Sequence, residues 1–311
     1  MKLGLLTACL PGESLEEVAA WAGAHGYDAL EVAAWPDRPG RDWEASHLDV
    51  MSFGSGEAER ASSLLFSHGL SLSAVAYYEN NLHDDEETRE ATHEHLRRCI
   101  DAAALLGCGL VGTFVGRAVS LTVKENLRLA EKVLPPLVEY AEARGVQLVV
   151  ENCPMEGWHP DGYPANLAYS PELWGWLADL GLYLNFDPSH LVWLGIDPVA
   201  ALRNHVDRVL HVQAKDVEVD ATARDRYGVF GQVIDKPSPW VSGWWRYRIP
   251  GLGQVDWSGV VDVLEEAGYN GVVSVEHEDP VWSGDPDRVR EGLAIAERTL
   301  RPLIDPSPTA P

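Results

Sequence analysis

Strand signals and helix signals alternate along the whole chain, and this alternation restricts the fold more than any other feature. Eight short apolar runs are each followed by a helical segment. Gly26, Gly69, Gly107 and Gly145 each follow one helix and precede the next strand. Eight strand–helix units in 311 residues predict a single α/β domain, a (β/α)₈ TIM barrel. The turn after the first strand contains no GxGxxG, which a doubly wound nucleotide-binding sheet would show.

The predicted boundaries follow from apolar runs, N-cap residues and glycine stops. We predict strands at 1–7, 27–32, 70–75, 110–114, 147–151, 182–187, 208–213 and 272–276. We predict helices at 14–24, 56–68, 85–106, 123–144, 257–267 and 286–300, and short ones that begin near Pro171 and Pro198. The fourth helix should kink or break at Pro135-Pro136. The barrel domain is predicted to span 1–304, with a Pro-rich tail at 305–311.

Four of the apolar runs end on a group that can bind metal. Glu151, Asp187 and Glu276 end three of these strands, and His211 and Gln213 lie on the strand between the last two. The C-terminal ends of all strands in a parallel barrel meet at one mouth, so these groups should converge there. Three carboxylates with one amide or imidazole suit Mn²⁺ first, and also Mg²⁺ or Co²⁺. Gln213 is nearer the strand end and is the preferred ligand, while His211 is the alternative because imidazole binds transition metals well.

Two connections that follow predicted strands are unusually long, at 152–169 and about 217–253. They contain Trp158, Trp245 and Arg248, side chains suited to binding a sugar or another ring. Long loops on the mouth side of a barrel are commonly lids, and we expect these two to form one after strands five and seven. Contact with a second copy of the chain in a homo-oligomer is the alternative role.

Charge and composition restrict the class of partner. The formal net charge of −24 opposes binding to nucleic acid or to anionic membranes, and no apolar run is long enough to span a bilayer. The four cysteines show no CxxC spacing, which indicates reduced thiols in a cytoplasmic protein.

Five motifs, in this order, resemble those of the xylose-isomerase-like superfamily of sugar phosphate isomerases and epimerases. They are LVVEN at 148–152, NFDPSH at 185–190, HVQAKD at 211–216, PGLGQVDW at 250–257 and SVEHED at 274–279. The resemblance covers nearly the whole chain. The motifs are specific for the superfamily and not for one substrate.

The resemblance implies that Glu151, Asp187, Gln213 and Glu276 bind one divalent metal ion. Glu151 and Glu276 would be the catalytic acid–base pair of an isomerase or epimerase. Such an enzyme acts on a ketose, inosose or related keto-sugar through an enediolate, which the metal stabilises. Ketose epimerases of this superfamily more often have His where Gln213 stands, whereas its hydroxypyruvate isomerases have Gln. The substrate therefore stays open.

Three further polar residues are candidates for substrate contacts near the metal site. His190 would bind substrate or orient Asp187, and His211 would be a polar partner one layer deeper. Lys215 is expected at the rim, where it would contact substrate or form a local ion pair with Asp216.

Other functions stay open on the sequence alone. A lyase or hydrolase could use the same deprotonation to cleave an oxidised (3-keto) glycoside, and a non-catalytic sugar-binding subunit is a third candidate. A three-metal endonuclease is disfavoured, because segments 70–77 and 110–114, on earlier strands, contain no histidine. No cluster of basic residues indicates a phosphate clamp, although Arg117, Arg246 and Arg248 lie on mouth-side segments.

Overall fold

Eight parallel strands form a closed barrel in the computed structural model, which describes residues 1–36, 45–155, 163–232, 234 and 242–305. The described residues form ten strands, eight in the barrel and two outside it: β1 (Lys2–Leu6), β2 (Ala29–Ala33), β3 (Ser71–Asn80), β4 (Leu110–Phe114), β5 (Gln147–Glu151), β6 (Tyr183–Phe186), β7 (Val209–Ala214), β8 (Asp216–Val219), β9 (Trp245–Arg248) and β10 (Val272–Val275). The barrel order is β1-β10-β7-β6-β5-β4-β3-β2, and β8 pairs with β9 in a separate antiparallel ribbon. The predicted TIM barrel is confirmed.

Helices follow the barrel strands and enclose them. They are α1 (Leu15–Ala24), α2 (Ser55–Ser67), α3 (Glu86–Leu105), α4 (Val123–Glu142), α5 (Trp174–Asp179), α6 (Pro188–Leu194), α7 (Pro198–His205), α8 (Ala221–Tyr227), α9 (Trp257–Glu266) and α10 (Pro286–Ile304). Capping boxes begin α1 at Ser14 and Glu17, and α4 at Thr122 and Glu125, because each side chain bonds the other residue's backbone N–H. The apolar core lies between the strands and the inner faces of these helices.

Several predicted boundaries were wrong. The third strand continues to Asn80, since the apolar and aromatic residues after 75 extend the pairing with β4. Helix α4 continues through Pro135-Pro136, where buried Leu134 and Leu137 pack its inner face against the core. Helix α5 begins at Trp174 instead of Pro171, and α6 was not predicted at all.

The long segment after β7 is partly structured. Strands β8 and β9 pair in register from Asp216↔Arg248 to Val219↔Trp245, and α8 lies between them in the chain. Residues 156–162 of the other long connection, which include Trp158, lie outside the described residues. Among the helices that the structure describes, none has the length and apolar character needed to cross a bilayer.

Candidate active site

Three of the predicted ligands converge at the C-terminal mouth of the barrel. Glu151 ends β5, Asp187 follows β6, and Glu276 follows β10. One carboxylate oxygen from each lies within 4.8 Å of the other two. The three residues are buried, with side-chain exposures of 2%, 0% and 12%. Closely spaced carboxylates in a buried site repel one another unless a cation or a proton lies between them.

The ammonium group of Lys215 lies among these carboxylates. Its Nζ is 2.8 Å from Glu276 Oε2, 3.3 Å from Asp187 Oδ2 and 3.9 Å from Glu151 Oε1. A fourth carboxylate, that of Glu278, is 2.9 Å away. The expected Lys215–Asp216 ion pair is absent between these two described residues. Consecutive strand residues point to opposite faces, so Lys215 turns inward and Asp216 outward.

His190 lies between the carboxylates and the β8–β9 ribbon. Its Nε2 is 3.0 Å from Glu151 Oε1 and 3.1 Å from Asp187 Oδ2, and its Nδ1 is 2.9 Å from the hydroxyl of Tyr247. The Tyr247 ring also covers Lys215 Nζ at 4.6 Å. Cys153 Sγ, His190 and Glu151 form a second group that could bind a metal. The ribbon therefore covers one side of the cluster.

The two candidates on β7 lie at different depths. His211 is fully buried, and its ring nitrogens are 3.0 Å from Asn185 Oδ1 and 3.2 Å from Ser73 Oγ. The amide nitrogen of Gln213 donates to Glu31 Oε1 at 3.3 Å. The Oε1 of Gln213 is buried and has no hydrogen-bond partner among the described residues. Both nitrogens of His211 are thus occupied, whereas Gln213 retains an acceptor oxygen.

The pKa values reflect burial first and neighbouring charge second. Burial raises the pKa of Glu151 and raises that of Glu276 well above its usual range, although Lys215 opposes both shifts. Burial also acts to raise the pKa of Asp187, but the charges of His190 and Lys215 outweigh it and lower the value to about 2. Burial lowers the pKa of His211 to about 3, so this ring is neutral at physiological pH.

The donor set fits a hard divalent cation. Three carboxylates and one amide oxygen are the ligands that Mn²⁺ and Mg²⁺ prefer. The buried Oε1 of Gln213, which meets no hydrogen-bond donor in the described part of the chain, supports a fourth ligand, because buried amide oxygens rarely lack a partner.

A cleft of about 1630 Å³ opens above the carboxylates. Glu151, Lys215 and Glu276 reach its floor, and Trp245 and Tyr247 line one wall. The Trp245 indole stacks on that of Trp193 with ring centroids 4.4 Å apart and planes 9° apart. The cleft exceeds the roughly 300–1,000 Å³ of common small-molecule pockets, so it has room for more than one sugar ring.

The other residues predicted to bind substrate differ in whether they reach the cleft. His190 and His211 are fully buried beneath the floor, whereas Lys215 and Trp245 reach the cleft. Arg248 is turned away from it, since its guanidinium pairs with Asp279 at 2.8 Å and with Glu218.

Two residues of this region were missed in the sequence. Glu31 is fully buried inside the barrel, where it accepts hydrogen bonds from Tyr78 and Gln213, and burial raises its pKa to about 7. Its position within the apolar run of β2 was a signal, because a carboxylate is rare in a buried strand. Glu278 carried no such signal, since it lies beyond the predicted strand 272–276, on which Glu276 was the last residue.

The fold and the acidic mouth define a TIM-barrel protein with a candidate metal-binding site. The model for the xylose isomerase-like TIM barrel family matches residues 19–299, so the chain belongs to this family.

Individual relatives differ in their named activities. The chain is 27% identical over 330 residues to the uncharacterised protein YfiH of Bacillus subtilis, covering 96% of this chain and 99% of YfiH. It is 35% identical over 103 residues to an inosose dehydratase of Clostridium perfringens, covering 32% of each chain. The solved structure of a D-psicose 3-epimerase from Clostridium cellulolyticum superimposes with a TM-score of 0.67, at 16% identity over 98% of this chain and 99% of that one. At this identity the structural likeness concerns the fold alone.

Proposed function

We propose that the protein is a divalent-metal-dependent isomerase or epimerase that acts on a ketose, an inosose or a related keto-sugar. The observation that carries this proposal is the approach of Glu151 and Glu276 from β5 and β10. Their carboxylate oxygens lie within 4.8 Å of each other at the cleft floor. Two carboxylates beside one bound substrate can remove a proton at one position and return it at another.

Glu151, Asp187, Gln213 and Glu276 would hold the metal ion. When bound, it would polarise the carbonyl of the substrate and so acidify the adjacent C–H bond. Gln213 is preferred to His211 because its Oε1 has no partner among the described residues, while both nitrogens of His211 have partners within the barrel.

The two glutamates would perform the proton transfers. One takes the proton from the carbon beside the carbonyl; the C–H electron pair forms a double bond to the carbonyl carbon, and the carbonyl π pair moves to oxygen to give an enediolate. In an isomerisation the other returns a proton to the former carbonyl carbon, and the proton of the adjacent hydroxyl moves to the former carbonyl oxygen, so the carbonyl moves by one carbon. In an epimerisation it returns a proton to the opposite face of the same carbon. His190 orients the carboxylates of Glu151 and Asp187 through contacts of 3.0 and 3.1 Å.

The arginines near the mouth support a substrate without a phosphate group. Arg117 is fully buried and donates to the carbonyls of Tyr163 and Leu121. Arg246 and Arg248 both pair with Glu218. These guanidinium groups are occupied by protein acceptors, which leaves them poorly placed to clamp a phosphate.

A lyase reaction is the second candidate, and the similarity to inosose dehydratases over about a third of the chain favours it. It would begin with the same deprotonation beside a keto group. The electron pair would then break the C–O bond at the next carbon, and an acid on the protein would protonate the departing oxygen, so that a hydroxyl leaves as water or the aglycone of a 3-keto-glycoside leaves as an alcohol. The size of the cleft is compatible with such a glycoside.

The experiment that tests the proposal is NMR in D₂O with Mn²⁺-loaded enzyme and a panel of ketoses, inososes and 3-keto-glycosides. We expect solvent deuterium at one carbon of an isomer or epimer, with no group released. Release of water or an aglycone would assign the lyase reaction instead. No turnover and no exchange with any compound would contradict both candidates.

Replacing the aromatic wall should affect substrate binding more than metal binding. Trp245→Ala removes cleft surface, so we expect KM to rise about tenfold, with little change in metal content. Trp244→Ala is the matched comparison, because Trp244 is only 3% exposed and should affect thermal stability instead. Unchanged KM in Trp245→Ala would indicate that this segment serves assembly and not substrate binding.

A further inference from the structure

The candidate metal site already contains a positive charge supplied by the chain. Lys215 is 2% exposed, and its ammonium contacts Glu151, Asp187, Glu276 and Glu278. Three of these four are the carboxylates that would bind the metal. A divalent ion and an ammonium group cannot share the same oxygens at these distances without strong repulsion.

The ammonium neutralises the cluster in the absence of other cations. Uncompensated carboxylates within 4.8 Å of one another in a buried site would repel strongly. Lys215 follows β7 directly, so its backbone is anchored while its flexible side chain can change rotamer. This residue is therefore suited to enter and leave the cluster.

Glu278 offers the ammonium of Lys215 an ion-pair partner on the solvent side of the cluster. Glu278 has 40% side-chain exposure, compared with 12% for Glu276 and 0% for Asp187. A small outward movement would keep the ion pair with Glu278 while it releases the three inner carboxylates. The Tyr247 ring, 4.6 Å from Nζ, lies beside the ammonium and limits its other directions of movement.

We propose that Lys215 is a tethered cation that competes with the divalent metal for Glu151, Asp187 and Glu276, and that it swings towards Glu278 when the metal binds. This inference rests on the proposed metal site. The apparent Kd for the metal is then the intrinsic Kd divided by the fraction of molecules in which Lys215 has left the cluster.

Calorimetric titration of metal-stripped protein with Mn²⁺ tests the competition directly. Lys215→Met removes the charge but keeps an unbranched side chain, and we expect its Kd for Mn²⁺ to be at least about tenfold lower than that of the parent. Lys215→Arg keeps the charge and should bind no more tightly than the parent. The control is Lys132→Met on the exposed face of α4, which should match the parent. Unchanged or weaker Mn²⁺ binding by Lys215→Met would overturn the proposal.

A second measurement starts from the Mn²⁺-loaded proteins, so that Lys215→Met need not be prepared without metal, and is made where both metal-free proteins remain folded. The Mn²⁺-loaded proteins are then titrated with EDTA, and the variant should need about tenfold more chelator than the parent to lose half its metal. Equal chelator requirements would again contradict the competition.

The outcomes separate this inference from the proposed function. Parent enzyme that exchanges deuterium with Mn²⁺ but binds it no less tightly than Lys215→Met contradicts the inference alone. Mn²⁺ binding by Lys215→Met but not by the parent would support the competition and contradict a metal-dependent reaction in the parent. Absence of binding by both proteins would overturn both proposals.

Discussion

Shortening Glu276 to aspartate should lower turnover on the order of 10²-fold while most of the bound metal remains. The carboxylate keeps its charge but retreats by one methylene, about 1 Å, and proton transfer requires close approach to the substrate carbon. Metal binding should tolerate the change better, because Glu151, Asp187 and Gln213 would still supply ligands. The measurements are kcat at saturating substrate and metal content by elemental analysis.

The matched control is Glu265→Asp, the same change on the exposed surface of α9, which should leave kcat unchanged. Glu276→Gln should lose both metal and activity, since it replaces a charged ligand by a neutral one. Glu276→Asp with full metal and full turnover would exclude Glu276 from proton transfer. Turnover of the parent without any solvent deuterium in the product would indicate a hydride shift between carbons, and then neither glutamate is the base.

The barrel could be predicted because its signals are local. Gly26, Gly69, Gly107 and Gly145 stop helices in sequence, and all four adopt left-handed backbone conformations, with φ between 66° and 84°. The convergence of Glu151, Asp187 and Glu276 follows from the fold, since all parallel strands of a barrel end at the same mouth.

The contacts inside the mouth could not be predicted, because they join distant parts of the chain. Glu31 and Gln213 are 182 positions apart, and strand periodicity does not reveal that their side chains meet across the barrel. The period of two places Lys215 on the same face as Gln213, but not among four carboxylates. Helix α6 escaped prediction because its seven residues are too few to show helical periodicity.

Asp216 anchors the β8–β9 ribbon, which lies against the candidate active site. It is 1% exposed, and it accepts hydrogen bonds from the backbone N–H groups of Val217, Gly251 and Val255 at 2.8–3.0 Å. The indole of Trp257 donates a fourth at 3.3 Å. One buried carboxylate thus connects the start of β8 to the chain that returns after β9.

Asp216→Ala should therefore lower the free energy of unfolding by about 4 kcal/mol, because several buried donors lose their acceptor at roughly 1–3 kcal/mol each. The matched control is Asp256→Ala, which removes an exposed helix cap with a bond to Gly259 and should cost only about 1 kcal/mol. Urea unfolding of both variants gives the free energies of unfolding that are compared.

The backbone of Asp216 lies opposite that of Arg248 in the β8–β9 ribbon. Loss of the Asp216 side chain should therefore also displace the neighbouring Tyr247 from His190 and Lys215. Variants of equal stability would show that the β8–β9 ribbon is held by its other contacts, and Asp216 would then have no role in positioning the cover of the site.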